Sequence, residues 1–372
     1  MIDRQELGAW LRLLETPRLG RESARKLLSA FGSPQAAVDA SVAARATVVG
    51  PVQAQALGSL PDSVDPLVDA TLAWLGAGAP EPRAVITLGD PLYPASLLDT
   101  ADPPLLLYAQ GRLELLQATS IAVVGSRNPT PQGRDNAQAF SGHLSRAGLT
   151  VVSGLALGID AAAHSGGLDG VGSTIAVVGT GLDRVYPRRN LGLAHRIAAA
   201  GLIVSEYTLG MPPLSPNFPL RNRIIAGLAR GTLVVEAALQ SGSLITARMA
   251  NESGREVFAI PGSIHSPQSR GCHALIKQGA KLVETAQDIL EELSPPRLPP
   301  APRPAAPMAA AVSQPGGDSL LDALGFDPVT LDALVMRTGR PPSELSVRLL
   351  DLEMDGRVSR LPGQLFQRLM RD

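Results

Sequence analysis

Four segments of this sequence combine the residue types that bind phosphate. Gly125-Ser126-Arg127, Ser153-Gly154 and Ser241-Gly242-Ser243 each join small residues to a hydroxyl group or an arginine, and Phe218–Arg223 adds an aromatic ring and two arginines. Small residues leave backbone N–H groups open to an anion, and a guanidinium group pairs well with phosphate. The sequence therefore predicts an anion-binding site built from these segments.

The Gly125-Ser126-Arg127 segment has the context of a first-turn phosphate loop, because an apolar run precedes it and a predicted helix follows Pro129. Its spacing is not G-x-G-x-x-G, and no acidic residue ends the next apolar run to hold a ribose. We therefore expect no nicotinamide cofactor, and no other cofactor is indicated. The alternative for Arg127 is an ordinary surface arginine.

The Phe218–Arg223 segment is the densest mixture of functional side chains in the sequence. Arg221 and Arg223 flank Asn222, and Phe218 precedes a proline in a region that we expect to be a loop. Aromatic stacking combined with guanidinium contacts to phosphate is a common way to hold single-stranded nucleic acid. In the alternative interpretation Phe218 seals the loop, and the arginines pair with Glu206 or Glu236.

Two further segments open predicted helices. Ser241-Gly242-Ser243 presents free N–H groups and the positive end of a helix dipole, so it is a second candidate phosphate cradle. Gly158 ends the segment that begins at Ser153 and precedes an alanine-rich helix, with Asp160 as its predicted N-cap. His164 lies one helical turn after Asp160, and we expect a structural hydrogen bond between them in preference to a catalytic pair.

Signatures of catalysis are missing from the sequence. It contains no G-x-x-x-x-G-K-[ST], no H-E-x-x-H and no G-x-S-x-G segment, so the matching ATPases, metalloproteases and hydrolases are not supported. Asp160, Asp183, Glu206 and Glu236 could converge as metal ligands of a nuclease. Such acids would oppose phosphate binding unless a cation intervened, and we expect neither a metal nor an enzyme.

A parallel sheet must position these segments. Six apolar runs, each separated from the next by a segment of helical length, lie at 120–125, 149–154, 173–179, 201–206, 231–237 and 255–262. Buried parallel strands appear as continuous apolar runs, and their ligands bind beyond the carboxyl ends of the strands, where the glycine and arginine segments fall. Two earlier runs, 84–88 and 105–108, are expected to extend this sheet.

The predicted domains are a helical domain at 1–75, the sheet domain at 84–293, a linker at 294–317 and a winged-helix-like domain at 318–372. The linker has eight prolines in 24 residues, a composition typical of an extended spacer. Within the first domain, Pro17–Leu28 is similar to a helix-hairpin-helix or SAM-like unit. Its hairpin N–H groups could meet a DNA phosphate, or the hairpin could serve packing alone.

Composition separates the parts of the chain. The formal net charge is −1, yet Lys and Arg outnumber Asp and Glu by fifteen to eight between Thr119 and Lys281. Residues 316–372 carry seven basic and nine acidic side chains, which argues against simple duplex binding by the tail.

The single cysteine, Cys272, excludes an intramolecular disulfide. No apolar run reaches about 18 residues, so we expect a soluble cytoplasmic protein without membrane contact.

Eight segments resemble, in order and spacing, the DNA-processing protein A family of bacterial transformation. They are VGSRNPT, SGLALGIDAAAH, GTGLDRVYP, SEY, FPLRNRIIAGL, VVEAALQSGSLITARMA, FAIPGSI and GCHALIKQGAKLV. The resemblance covers roughly residues 84–293, and the two flanking helical domains are similar to accessory domains of that family. One departure is His273, where the family usually has asparagine.

The resemblance implies an α/β fold, an extended Rossmann-like parallel sheet flanked by a small N-terminal helical domain and a C-terminal winged-helix-like domain. It also implies a non-catalytic protein that binds single-stranded DNA, forms a homodimer and loads the recombinase RecA onto incoming strands. The implied DNA-binding residues are Gly125, Ser126, Arg127, Ser153, Gly154, Gly158, Gly181, Phe218, Arg221, Asn222, Arg223, Ser241, Gly242 and Ser243. The alternative is a nucleotide-processing enzyme of the lysine-decarboxylase-like phosphoribohydrolase group, whose P-G-G-x-G-T-x-x-E signature is not found here.

Overall fold

The structure is a computed structural model that describes residues 2–293, 319–324 and 328–369. The predicted linker at 294–317 lies outside the described residues. The chain divides into two compact units, the first of which holds residues 2–129 and 134–293, while the C-terminal helices and strands belong to the second.

Six N-terminal helices begin the first unit. They are α1 (Arg4–Glu15), α2 (Gly20–Phe31), α3 (Pro34–Asp39), α4 (Val42–Val49), α5 (Pro51–Ala56) and α6 (Val64–Gly76). The Asp3 carboxylate caps α1 by accepting from the Glu6 N–H at 2.8 Å, and apolar residues at helical spacing, such as Leu7 and Leu11, are fully buried. They share one core with Leu106 and Tyr108 of the sheet, so the helices pack onto the sheet edge.

A nine-stranded sheet forms the centre of the first unit. Its strands are β1 (Arg83–Thr87), β2 (Leu106–Gly111), β3 (Ser120–Val124), β4 (Thr150–Ser153), β5 (Thr174–Val177), β6 (Leu202–Ser205), β7 (Gly231–Val234), β8 (Glu256–Ala259) and β9 (Lys281–Leu282). The strand order is β1-β2-β6-β5-β4-β3-β7-β8-β9. Strands β3 to β9 pair in parallel, which confirms the six predicted parallel strands, whereas β1 and β2 pair antiparallel.

Helices cover both faces of the sheet. They are α7 (Ala95–Leu98), α8 (Pro131–Arg146), α9 (Ile159–Gly167), α10 (Leu191–Ala200), α11 (Asn217–Leu228), α12 (Ser243–Glu252), α13 (Arg270–Lys277) and α14 (Ala286–Leu293). Alternate residues of β3 enter opposite cores: Ala122 and Val124 lie in the core that includes residues of α11, and Ile121 and Val123 lie in the core that includes residues of α9. The unit is therefore a Rossmann-like α/β fold.

The chain reverses its direction of sheet growth beside β3. From β3 it builds β4, β5 and β6 on one side, and it then returns to place β7 and β8 on the other side. Ligands of open α/β sheets bind outside the carboxyl ends of the strands at such a switch point. The loops that follow β3 and β7 are therefore the expected walls of a binding site.

The second unit is a winged helix, as predicted. Its elements are α15 (Ser319–Leu324), β10 (Val329–Thr330), α16 (Leu331–Thr338), α17 (Pro342–Met354), β11 (Val358–Leu361) and β12 (Leu365–Arg368). The strands form an antiparallel sheet in the order β10-β12-β11. Leu334, Leu345 and Leu349 are fully buried in its own apolar core.

Candidate nucleic-acid interface

A cavity of about 480 Å³ opens at the switch point between β3 and β7. Nine of the fourteen predicted residues line it, namely Gly125, Ser126, Arg127, Phe218, Arg221, Asn222, Ser241, Gly242 and Ser243. The other five predicted residues, Ser153, Gly154, Gly158, Gly181 and Arg223, lie outside its lining. Three of the four segments predicted to bind phosphate therefore meet at this cavity, and the Ser153-Gly154 segment does not line it.

The loop after β3 is held in place by its own backbone. The Ser126 N–H donates to the Glu236 carbonyl at 2.7 Å, and Ser126 Oγ accepts from the Asn128 N–H at 3.1 Å. A Cβ on Gly125 would lie 2.7 Å from the Ile159 side chain, so that position has room for glycine alone. These contacts fix the path of the loop, whose small residues line the cavity.

Arg127 points its charge to solvent at the cavity rim. Its side chain is exposed and forms no ion pair with any residue that the structure describes. A guanidinium group without a carboxylate partner keeps its charge available for a phosphate. Arg127 is therefore the cation best placed to hold an anionic ligand here.

Gly158 supports this loop from outside the cavity. Its φ is +82°, and a Cβ there would lie 2.4 Å from the Ser126 carbonyl oxygen, while the Ile159 N–H donates to the same oxygen at 3.1 Å. A side chain at position 158 would be strained and would displace the Ser126 loop. The role that the structure gives Gly158 is to let two loops approach closely.

Arg221 forms the buried floor of the cavity. Its Nη1 donates to the Gly154 carbonyl at 2.6 Å and to the Val177 carbonyl, and its Nε donates to Asn222 Oδ1 at 3.0 Å. Burial lowers the pKa of Arg221 to about 10, although the nearby Asp160 carboxylate opposes the shift. The group remains charged at neutral pH, so it adds a fixed positive charge beneath the site.

Phe218 lies in the first turn of α11, and the prediction that it belongs to a loop is wrong. Asn217 begins the helix, and its Nδ2 donates to the Gly179 carbonyl at 3.1 Å. Pro219 is accommodated because the first helical turn needs no N–H donors. The half-buried Phe218 ring lies with its centroid 5.4 Å from that of Tyr186, a neighbour that the sequence reasoning missed.

Ser241-Gly242-Ser243 lines the same cavity as Arg127. Helix α12 begins at Ser243, and the Oγ atoms of Ser241 and Ser243 lie 2.7 Å apart. A Cβ on Gly242 would meet no atom within 4 Å, so the backbone here is open. The Ser241 N–H donates to the Ala238 carbonyl at 2.9 Å and the Ser243 N–H donates to Ser241 Oγ at 3.3 Å. The Gly242 N–H and the helix dipole of α12 therefore favour an anion in the cavity.

The predicted hydrogen bond between Asp160 and His164 is not formed. Asp160 Oδ2 accepts from the N–H groups of Gly154 and Ala156 at 3.1 and 3.3 Å, and His164 Nε2 accepts from the Leu155 N–H at 3.2 Å. Both side chains therefore brace the loop after β4. The N-cap of α9 is Gly158, so the predicted capping role of Asp160 is also wrong.

Burial shifts the pKa values of both His164 and Asp160. Full burial lowers the pKa of His164 to about 3, with a smaller contribution from the positive charge of Arg221. Burial raises the pKa of Asp160, against the opposing effect of Arg221. His164 is therefore neutral at physiological pH, which matches its role as an acceptor for the Leu155 N–H.

Arg223 is committed to an ion-pair cluster away from the cavity. Its Nε lies 2.9 Å from Asp102 Oδ2 and its Nη2 lies 2.5 Å from Glu206 Oε1. Arg21 and Arg25 of α2 pair with the same Asp102 at 2.7 and 2.5 Å. For Arg223 the geometry is that of the alternative interpretation, in which an arginine pairs with Glu206.

The remaining predicted residues are structural in their contacts. Ser153 Oγ donates to the Val123 carbonyl at 2.7 Å, and the Gly181 N–H donates to the Met211 carbonyl at 3.1 Å.

No group of three or more His, Cys, Asp and Glu side chains that could hold a metal occurs within the described ranges. Among the helices described, none is long and apolar enough to cross a membrane.

Comparison of sequences identifies relatives along most of the chain. Residues 84–294 match the family described as DNA recombination-mediator protein A, and residues 301–364 match the DprA winged helix domain. Protein Smf of Escherichia coli (strain K12) is 41% identical over 361 residues, which cover 95% of this chain and 94% of that protein. DNA processing protein DprA of Streptococcus pneumoniae is 51% identical over 203 residues, or 55% of this chain and 72% of that protein.

Solved structures give the same result. DNA processing protein A from Streptococcus pneumoniae matches with a TM-score of 0.67 and 40% identity, covering 79% of this chain and 99% of that one. DNA processing protein A from Helicobacter pylori, whose structure is described in terms of its single-stranded DNA binding mode, matches with a TM-score of 0.52 and 30% identity, covering 57% of this chain and 95% of that one. The predicted resemblance is confirmed, and the chain belongs to the DNA recombination-mediator protein A family.

Proposed function

We propose that this protein binds single-stranded DNA in the cavity at the switch point. The observation that carries the proposal is the arrangement around Arg127: an exposed arginine and the N-terminus of α12 line the same cavity of about 480 Å³. Cation and helix dipole both favour phosphate. The relative from Helicobacter pylori is described as binding single-stranded DNA, which supports the same ligand here.

The proposed contacts are to the DNA backbone, with one aromatic platform. Arg127, the Ser126 hydroxyl and the start of α12 at Ser241-Gly242-Ser243, with its Gly242 N–H, take phosphates, and Phe218 stacks on a base. Arg221 and Asn222 line the path between them. Ser153, Gly154, Gly158 and Gly181 act by shaping the surrounding loops, and Arg223 acts through its ion pairs.

The proposed role is non-catalytic. The acidic side chain that lines the cavity, Asp160, accepts two backbone N–H groups, and neighbouring His164 is buried and neutral. Both are therefore engaged in holding the loop and are poorly suited to proton transfer with a ligand.

We propose that a homodimer of this protein protects incoming single strands in the cytoplasm and loads RecA onto them in natural transformation and recombination. The family membership supports that role.

Competition binding tests the proposal. A labelled mixed-sequence single strand should be displaced by unlabelled single strands far better than by duplex of equal length, and with little dependence on sequence, because no base-edge contacts are proposed. Release of free base from nucleoside monophosphates is measured on the same preparation. Equal affinity for single strand and duplex would contradict the proposal, and base release would favour the phosphoribohydrolase alternative.

A further inference from the structure

The loop between β5 and α10 places an exposed aromatic ring beside the cavity. Tyr186 is 49% exposed, and its ring contacts Phe218 with a centroid distance of 5.4 Å and an interplanar angle of 36°. Phe218 itself lines the cavity. The two rings therefore form a continuous aromatic surface that leads from the cavity to the outside of the protein.

Two arginines without ion pairs to any described residue follow Tyr186 in the sequence. Arg188 and Arg189 are exposed, and neither forms an ion pair with a residue in the described part of the chain. Arg184 differs from them, because its Nε lies 3.3 Å from Asp183 Oδ2. An exposed ring followed by two unpaired guanidinium groups is the combination that holds single-stranded nucleic acid by stacking and by phosphate contact.

The loop is anchored against the rim of the cavity. Asn190 is 8% exposed, and its Nδ2 donates to the carbonyls of Leu155 and Ala156 at 2.8 and 3.1 Å. At the other end of the loop, the Gly181 N–H donates to the Met211 carbonyl. A ring on a loop fixed at both ends loses little conformational entropy on binding, so it is pre-organised as a platform.

We propose that Tyr186 is a second base-stacking residue, and that Arg188 and Arg189 contact the phosphates beside that base. The strand then runs from Arg127 through the cavity, over Phe218 and onto Tyr186. This inference rests on the proposed function and adds to it the direction in which the strand leaves the cavity. Paired bases are stacked inside a duplex and cannot cover an external ring, so this surface selects unpaired nucleotides.

Abasic DNA tests the stacking role of Tyr186. Binding of an oligothymidine and of an abasic strand of equal length is measured by fluorescence anisotropy at one salt concentration. Tyr186→Ala should weaken binding to oligothymidine about tenfold and leave binding to the abasic strand unchanged, because only the first offers a base to the ring. Tyr186→Phe keeps the ring and should bind both strands as the wild type does.

The arginines are tested by the salt dependence of binding. The double substitution of Arg188 and Arg189 by Ala should weaken binding to both strands and reduce the slope of log K against log salt by about 1.4, or about 0.7 for each phosphate. Arg196→Ala is the matched control, because Arg196 is an exposed arginine in the second turn of α10 without an ion pair in the described residues. It should leave both quantities unchanged.

The outcomes separate this inference from the proposed function. If Tyr186→Ala weakened binding to both strands equally, or to neither, while the wild type bound both, Tyr186 would not be a stacking residue and the inference would be overturned. An unchanged salt slope in the double arginine variant would contradict the proposed phosphate contacts of Arg188 and Arg189. A wild type that bound no single strand would overturn the proposed function itself.

Discussion

Arg223 Nη2 lies 2.5 Å from Glu206 Oε1. This pair is nearly closed to water, since the side chains are 11% and 4% exposed, and it joins helix α11 to the end of β6. Through Asp102, which pairs with Arg223 as well as with Arg21 and Arg25, the same cluster ties the N-terminal helices to α11. Arg223 therefore fixes the helix that carries Phe218 and Arg221.

Arg223→Ala should destabilise the first unit strongly. Removing Arg223 takes the shorter of two ion pairs from the buried Glu206 carboxylate, which keeps only the 3.5 Å pair with Arg21, and this should cost about 3 kcal/mol. Urea denaturation followed by circular dichroism measures the loss. Arg127→Ala removes the same charge from an exposed position and should change stability by less than about 0.5 kcal/mol. Similar stabilities for the two variants would contradict the structural role of Arg223.

Arg127→Ala should weaken binding to single-stranded DNA and lower its salt slope by about 0.7, the value for one phosphate contact to a single strand. The residue is exposed, so the fold should be retained. Titrations at several salt concentrations, beside the Arg196→Ala control, measure both quantities. If affinity and slope stayed at the wild-type values, Arg127 would be an ordinary surface arginine.

Phe218→Ala separates stacking from charge at the same helix terminus. It removes an aromatic face worth about 1–3 kcal/mol per stacked base while leaving Arg127 and Arg221 in place. The expected result is weaker binding with an unchanged salt slope. A variant that bound normally but melted earlier would show that Phe218 serves packing against Gly179 and Tyr186. A joint fall of affinity and slope would show that the ring positions the arginines.

Acidification should destabilise the fold through His164. Its pKa is lowered to about 3 in the folded state, whereas it is about 6.5 in an unfolded chain. The unfolded state therefore binds the extra proton first, and stability that is present above about pH 6.5 is lost as the pH falls toward the folded value. Between about pH 7 and pH 5 the loss is about 2 kcal/mol.

Comparison of two proteins isolates this effect from other titrating groups. Unfolding free energies of the wild type and of His164→Gln are measured at both pH values. Glutamine is chosen because it can replace the acceptor for the Leu155 N–H and the contact of His164 Nδ1 with Thr174 Oγ1, which lies 2.7 Å away. The decrease on acidification should be smaller in the variant by roughly the amount attributed to His164. Equal decreases in the two proteins would show that His164 is not the group responsible.

The sequence predicted the sheet well because buried parallel strands leave continuous apolar runs. Strands β3 to β8 were all found in this way. The two-residue strand β9 has no such run, and the antiparallel direction of β1 and β2 depends on contacts between distant segments. Phe218 was assigned to a loop because a proline follows it, although the first turn of a helix accepts proline.

Side-chain partners were harder to predict than strands. The loops that carry Arg127 and Ser241 could be placed together, because the carboxyl ends of parallel strands meet at one edge. Asp102 is 121 residues away from Arg223 in the sequence, and nothing in the local pattern indicates that the two will pair. Tyr186 could have been recognised from its position after β5 and before two arginines.

The strand order has a consequence for how this protein is made. Most of the cavity lining comes from three distant stretches of the chain, 124–128, 218–225 and 238–246. Strand β3 lies inside the sheet, and its neighbour β7 comes much later in the sequence. Contacts at such sequence separation form late in folding. A nascent chain on the ribosome therefore carries the Arg127 loop long before the Ser241 loop has been synthesised. The cavity is complete, and single-stranded DNA can bind in it, only after β7 has paired with β3.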